Sequence, residues 1–156
     1  MVEEWLVDGC NLLHAYPSGR SPKDRNGRAE MLSALAGFAA LKGKPMLVVL
    51  DGKGESAELD IHHTGLFRVV YSQKVSADAC IERLLFERRS EARFTVITDD
   101  RAISNIARGS GAMVVGTASF LEMLKESRKE SGETLDKDKL RSHGFNRPFE
   151  DKLKDI

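Results

Sequence analysis

Cysteine is scarce in this chain. Cys10 and Cys80 are the two among 156 residues, in unrelated segments, with neither CxxC pairing nor metal-ligand spacing. A disulfide framework is thereby disfavoured, and a reducing cytoplasm with both thiols free is expected. Excess charge is missing as well, since 24 basic and 24 acidic side chains cancel. A protein that grips long duplex nucleic acid by bulk electrostatics carries a basic surplus, whereas an enzyme with a local basic rim need not. No apolar run approaches the roughly 20 residues that span a bilayer, so no membrane partner is expected. Met1-Val2-Glu3-Glu4 is acidic and runs straight into a strand-like segment, so a secretory signal or transit peptide is not expected either. Internal repeats and low-complexity tracts are absent. What remains, 41% hydrophobic and 31% charged residues, suits a soluble domain with one sizeable core.

Periodicity supplies the elements. A first strand over residues 4–7 leads to Asp8-Gly9 and a short helical segment at 11–15. Residues 17–22, with two prolines and a glycine, form a loop. Apolar residues at 31, 32, 35, 38, 39 and 41 predict a helix over 28–41, ended by Gly43 and Pro45. Met46 to Leu50 is continuously apolar, as in a strand buried on both faces. Residues 52–65 read as a loop, and 66–72 as a third strand. A helix over 77–89 has Ser76 as its cap and Ala79, Cys80, Ile81, Leu84, Leu85 and Phe86 as its core residues. A strand at 94–98, a helix at 100–108, a strand at 112–115 and a helix at 117–127 complete the pattern. Such alternation predicts an α/β fold, a mostly parallel sheet of about five strands with helices on both faces. Beyond residue 127 the texture turns charged and apolar-poor, which divides the chain into a domain, 1–127, and an extension, 128–156. Phe145, Phe149 and Leu153 recur there at helical spacing.

Four strands each lead into aspartate: Asp8, Asp51, Asp78, and the pair Asp99 and Asp100. Ligands of open α/β sheets bind beyond the carboxyl ends of the strands, where these acids would converge. Two carboxylates about 4 Å apart repel by roughly 4 kcal/mol at an effective dielectric near 20. A convergent set therefore calls for a compensating charge, and Mg²⁺ or Mn²⁺ suits oxygen donors of this kind. Singly, each aspartate has a plainer use as a helix cap.

Other carboxylate and phosphate chemistries of this architecture fail at their defining residues. A haloacid-dehalogenase-type phosphatase needs a second Asp two positions after the first, where this chain has Cys10. A receiver domain needs a lysine after the fifth strand, where Gly116-Thr117 stands. Neither Asp8-Gly9-Cys10-Asn11 nor Gly52-Lys53-Gly54-Glu55 matches a dinucleotide or P-loop motif.

Four segments resemble the NYN branch of the PIN-like nucleases, its YacP-like group in particular. They are Leu6-Val7-Asp8-Gly9-Cys10-Asn11-Leu12-Leu13, Val48-Val49-Leu50-Asp51, Ser76-Ala77-Asp78 with Ile81-Glu82-Arg83-Leu84, and Val96-Ile97-Thr98-Asp99-Asp100-Arg101. The resemblance implies a three-layer, Rossmann-like PIN fold and metal-dependent endoribonuclease activity on single-stranded or flexible RNA. It also implies roles. Asp8, Asp78 and Asp100 would be catalytic and, with Asp51, would hold Mg²⁺ or Mn²⁺. Asn11, Asp99 and Glu82 would support them, Asn11 by orienting a water or a substrate phosphate. Asp100 is preferred over Asp99 because the family's TSD element has Ser where Asp99 stands. Cys10 departs from the family, which favours an aromatic there, and a stacking surface for a base is lost with it.

Arg20, Lys23, Arg25, Arg28, Lys53, Lys74 and Arg101 are the candidate RNA contacts, since all flank the same sheet edge. The ribosome is a further candidate partner. His62-His63 reads as a solvated pair. Trp5, Phe38, Phe86 and Phe94 fall on apolar faces and read as core rather than as base-stacking platforms. Two rival functions stay open: a catalytically silent RNA- or ribosome-binding module, and a structure-specific DNA nuclease.

Overall fold

A computed structural model describes residues 1–16, 25–52 and 65–142, with the backbone alone at 25, 26 and 131–142. Along them run β1 (Val2–Asp8), α1 (Gly9–Ala15), α2 (Arg25–Lys42), β2 (Met46–Leu50), β3 (Phe67–Tyr71), α3 (Ala77–Glu87), β4 (Ala92–Ile97), α4 (Arg101–Gly109), β5 (Met113–Val115) and α5 (Thr117–Ser142). The predicted loop at 17–22, Arg20, Lys23, Lys53, His62, His63, Phe145, Phe149 and Leu153 lie outside the described residues.

The five strands form one sheet in the order β3-β2-β1-β4-β5, and every neighbouring pair is parallel. The expected α/β architecture is therefore the one observed. Parallel pairing needs a crossover between strands, and α1 with α2 supplies it between β1 and β2, α3 between β3 and β4, and α4 between β4 and β5. β1 lies at the centre, where Leu6 and Val7 are fully buried. Leu6 packs with Leu47, Val96, Ile81 and Ile103 on the side of α3 and α4. Trp5 faces the opposite side, where its ring meets Phe38 of α2 and Phe120 of α5 at centroid distances of 5.5 and 5.8 Å.

The chain runs outward from β1 to β2 and β3, then returns to β4 on the other side. Strand order thus reverses between β1 and β4, which places a crevice beyond their carboxyl ends. Asp8 and Thr98 stand at that crevice.

Two core expectations fail. Ala79 and Phe86 lie on the outer surface of α3, whose buried stripe is Ala77, Ile81 and Leu85, with Cys80 and Leu84 partly buried beside it. Apolar character alone extended the predicted face too far round the helix.

Residues Met1–Glu122 form one compact unit, and a second begins at Met123. The second carries the rest of α5, which continues to Ser142 rather than ending at Ser127. Lysine and glutamate there favour helix without an apolar stripe to mark it. Among the described residues no helix is long and apolar enough to cross a membrane.

Candidate active site

Asp8 ends β1 and caps α1, whose Asn11 N–H approaches its Oδ1 at 3.5 Å. The tight passage from strand to helix depends on Gly9. A Cβ there would lie 2.5 Å from Leu50 Cδ2 and 2.7 Å from the Val49 carbonyl oxygen. Asp8 is only 4% exposed, and its Oδ2 accepts a 3.0 Å hydrogen bond from the buried Thr98 hydroxyl. Burial pushes its carboxyl up to about 6 from the ordinary 3.8. The Thr98 and Asn11 bonds oppose the rise, while the charges of Asp78 and Asp100 add to it.

Asp100 caps α4 by accepting from Ile103 N–H at 3.0 Å, and its own N–H donates to Thr98 Oγ1 at 3.0 Å. One hydroxyl therefore bridges the side chain of Asp8 and the backbone of Asp100. Asp78 lies in the first turn of α3, exposed, where Ser76 provides the predicted cap through Ala79 N–H at 3.1 Å. Its carboxyl is also raised, by burial first, then by the charges of Asp100 and Asp51. Asp8, Asp78 and Asp100 thus act on one another, and Asp51 acts on Asp78.

Asp51 follows β2 and accepts the Ala77 N–H at 2.7 Å, tying the end of the strand to the start of α3. Its N–H donates to Cys10 Sγ at 3.5 Å. The Cys10 thiol is pushed up, mainly by burial and further by the carboxylates of Asp51 and Asp8 against the opposing Asp51 N–H bond, so it stays protonated. This is the behaviour of a packed filler and not of a nucleophile.

The adjacent acids Asp99 and Asp100 separate. Asp99 accepts from the Thr117 N–H at 2.9 Å and makes a short bond with the Thr117 hydroxyl, while its N–H donates to Asn11 Oδ1 at 2.7 Å. It thereby holds the start of α5 and the side chain of Asn11. With Oδ1 engaged, Asn11 offers its amide N–H groups as donors. Glu82 is exposed one turn beyond Asp78 and makes no ion pair among the described residues.

Lys74, in the turn before α3, and Arg101, the first residue of α4, are exposed at this edge. Arg25 and Arg28 fall in the first turns of α2. Sequence reasoning assigned no part to Thr98 or to the crowding at Gly9. A hydroxyl directly after a buried strand, and a glycine directly after Asp8, were the available signals.

Among the described residues no three His, Cys, Asp or Glu side chains are grouped as they stand to hold a metal ion. In chemistry the donors nevertheless fit a hard divalent cation. They are carboxylates only, and the charges that act on Asp8 and Asp78 are all negative.

A family model, the YacP-like NYN domain, matches residues 5–155. Solved structures similar to this chain include the following two. The W164L mutant of Rae1 (YacP) from Bacillus subtilis has a TM-score of 0.72 and 20% identity, covering 91% of this chain and 86% of that one. Rae1 (YacP) from Bacillus subtilis without that mutation gives 0.67 and 22%, covering 88% and 84%. At such identities the likeness concerns the fold. The curated proteins contain no match.

Proposed function

The chain belongs to the YacP-like NYN domain family, a PIN-like nuclease family, and from that premise we propose a divalent-metal-dependent endoribonuclease. Its substrate is single-stranded or flexible RNA, and its products carry a 5′-phosphate and a 3′-hydroxyl. The observation that carries this reading is the joining of Asp8 and Asp100 through the Thr98 hydroxyl beside the point where strand order reverses, within electrostatic reach of Asp78. A protein has little reason to keep such a set uncompensated.

Asp8, Asp78 and Asp100 would hold Mg²⁺ or Mn²⁺, with Asp51 contributing directly or through water. The chemistry an ion held there would supply is compensation of the carboxylate charge, a more acidic water and stabilisation of charge on the phosphate. The protein's own residues set the geometry. Thr98 fixes the orientation of Asp8, Asp51 anchors the helix that presents Asp78, and Asn11 offers N–H donors beside Asp8. Lys74 and Arg101 supply positive charge for the RNA backbone at the same edge. We assign this nuclease to residues 1–127 and regard 128–156 as a charged extension.

Cleavage of a labelled single-stranded RNA with Mn²⁺, with and without chelator, and beside an Asp8→Asn variant, tests the reading. Activity is expected only for the wild type with metal. Cleavage that survives both chelator and substitution sinks the mechanism. Preferential cutting of flapped DNA would transfer the assignment to a DNA nuclease.

A further inference from the structure

Phe86, on α3, is 65% exposed. The guanidinium of Arg89 lies over its ring at 4.2 Å, and Arg89 Nη1 donates to the Phe86 carbonyl at 2.5 Å, which holds the two groups stacked. One turn earlier stands Arg83, also exposed. Beyond the helix, Arg93 joins Arg89 in lining a cavity of about 210 Å³, together with Leu85 and Phe94.

The neighbouring Arg88 has a partner, since it grips both carboxylate oxygens of Glu4 at 2.8 and 2.9 Å. Arg83 and Arg89 enter no ion pair among the described residues, whereas Arg93 stands opposite Glu3 in the β1–β4 register and its charge acts on that carboxylate. Glu82 and Glu87 are the acidic groups on this stretch of helix. A single exposed apolar side chain is ordinary on a protein surface. A ring with a guanidinium already stacked on it, one turn from the unpaired Arg83, is a platform of a particular chemistry. Nucleobases stack on aromatic rings and on guanidinium planes, and arginines track the phosphates between them.

We propose that Arg83, Phe86 and Arg89 form a second RNA-contacting site, which stacks a base of the substrate strand outside the acidic pocket. The proposal rests on the RNA reading of that pocket and extends it. Phe86 follows Asp78 by eight residues, about 12 Å along the helix at 1.5 Å per residue. A strand a few nucleotides long can reach both. The carboxylates would engage the bond to be cut, and this platform would add affinity and select longer single strands over short ones.

The test uses the full chain in chelator, so that nothing is cut, titrated against labelled single-stranded RNAs of about four and about twelve nucleotides. Wild type should bind the longer RNA more tightly. Phe86→Ala and Arg89→Ala should each narrow that advantage about tenfold, and Phe86→Trp should restore it. A 4-thiouridine in the longer RNA should crosslink to the peptide that contains Phe86. Thermal melting monitors folding, and the crosslink on wild-type protein answers the question if a variant is unstable.

Equal binding by Phe86→Ala and wild type, or a crosslink elsewhere, overturns the proposal, while Mn²⁺-dependent cleavage would leave the nuclease reading standing. Wild type that neither binds nor cuts RNA overturns both. Polyglutamate binding that depends on Phe86, with RNA binding unaltered, would assign the face to an acidic protein and also overturn it.

Discussion

The hydroxyl of Thr98 donates to Asp8 Oδ2 at 3.0 Å, joining the end of β4 to the end of β1 across the crevice. Because the same oxygen accepts the Asp100 N–H, one buried atom aligns two of the acids. Thr98→Val should leave that N–H without its partner and cost about 1–3 kcal/mol of stability in urea unfolding. It also removes a bond that favours the ionised form of Asp8. The acidic limb of the pH–rate profile should therefore move to higher pH, and Thr98→Ser should restore it.

Asp100→Asn separates charge from capping. Asparagine caps a helix about as well as aspartate, so α4 should persist and stability should change by less than about 0.5 kcal/mol. Asp8 and Asp78 would both lose a repelling neighbour, and their carboxyls should titrate lower by NMR. Cleavage should fall by more than about a hundredfold, since even outer-sphere partners of a metal site are worth 10–100-fold. Asp99→Ala should behave differently, with about 1 kcal/mol lost at the start of α5 and a smaller loss of activity.

Asp8 makes the metal-free protein pH-sensitive in a definite direction. Its folded value of about 6 lies above the ordinary 3.8, so between those values the native state holds a proton that the unfolded chain has released. The resulting cost is absent below about pH 4 and fully present above about pH 6. Asp8→Asn should accordingly be more stable than wild type at pH 7.5 without metal, by roughly 2–3 kcal/mol. The gap should close as pH falls towards 4. Adding Mn²⁺ at pH 7.5 should narrow it by stabilising the wild type, and urea unfolding with and without metal checks both effects.

Gly9→Ala should be the most damaging small substitution. The added Cβ meets a backbone oxygen in the central sheet, which cannot retreat as a flexible side chain can. A loss of about 3 kcal/mol or more is expected, visible as a lower urea midpoint or a loss of soluble protein.

Much of the architecture could be read from local pattern. β2 matches its apolar run residue for residue, because burial on both faces leaves no polar position to blur the ends. The strand order could not be read this way, since pairing depends on crossovers between distant segments. Of the acids, Asp8, Asp51, Asp78 and Asp100 lie at strand ends or helix starts, as their spelling suggested. What distinguishes Asp99 from Asp100 is a partner eighteen positions later, Thr117, which no local motif reveals. Thr98 escaped notice for the same reason, because its role is defined by β1. Phe86 lies outside the buried stripe of α3, whose width apolar character alone does not delimit.

The aromatic cluster behind the sheet has a practical corollary. Trp5 is the chain's single tryptophan, and it stands three residues before Asp8 on the same strand, about 10 Å away at 3.3 Å per residue. Its indole N–H is buried without a hydrogen-bond partner among the described residues, and the ring packs against Phe38 and Phe120. Intrinsic emission from this one chromophore therefore reports on the central strand directly, with no label attached.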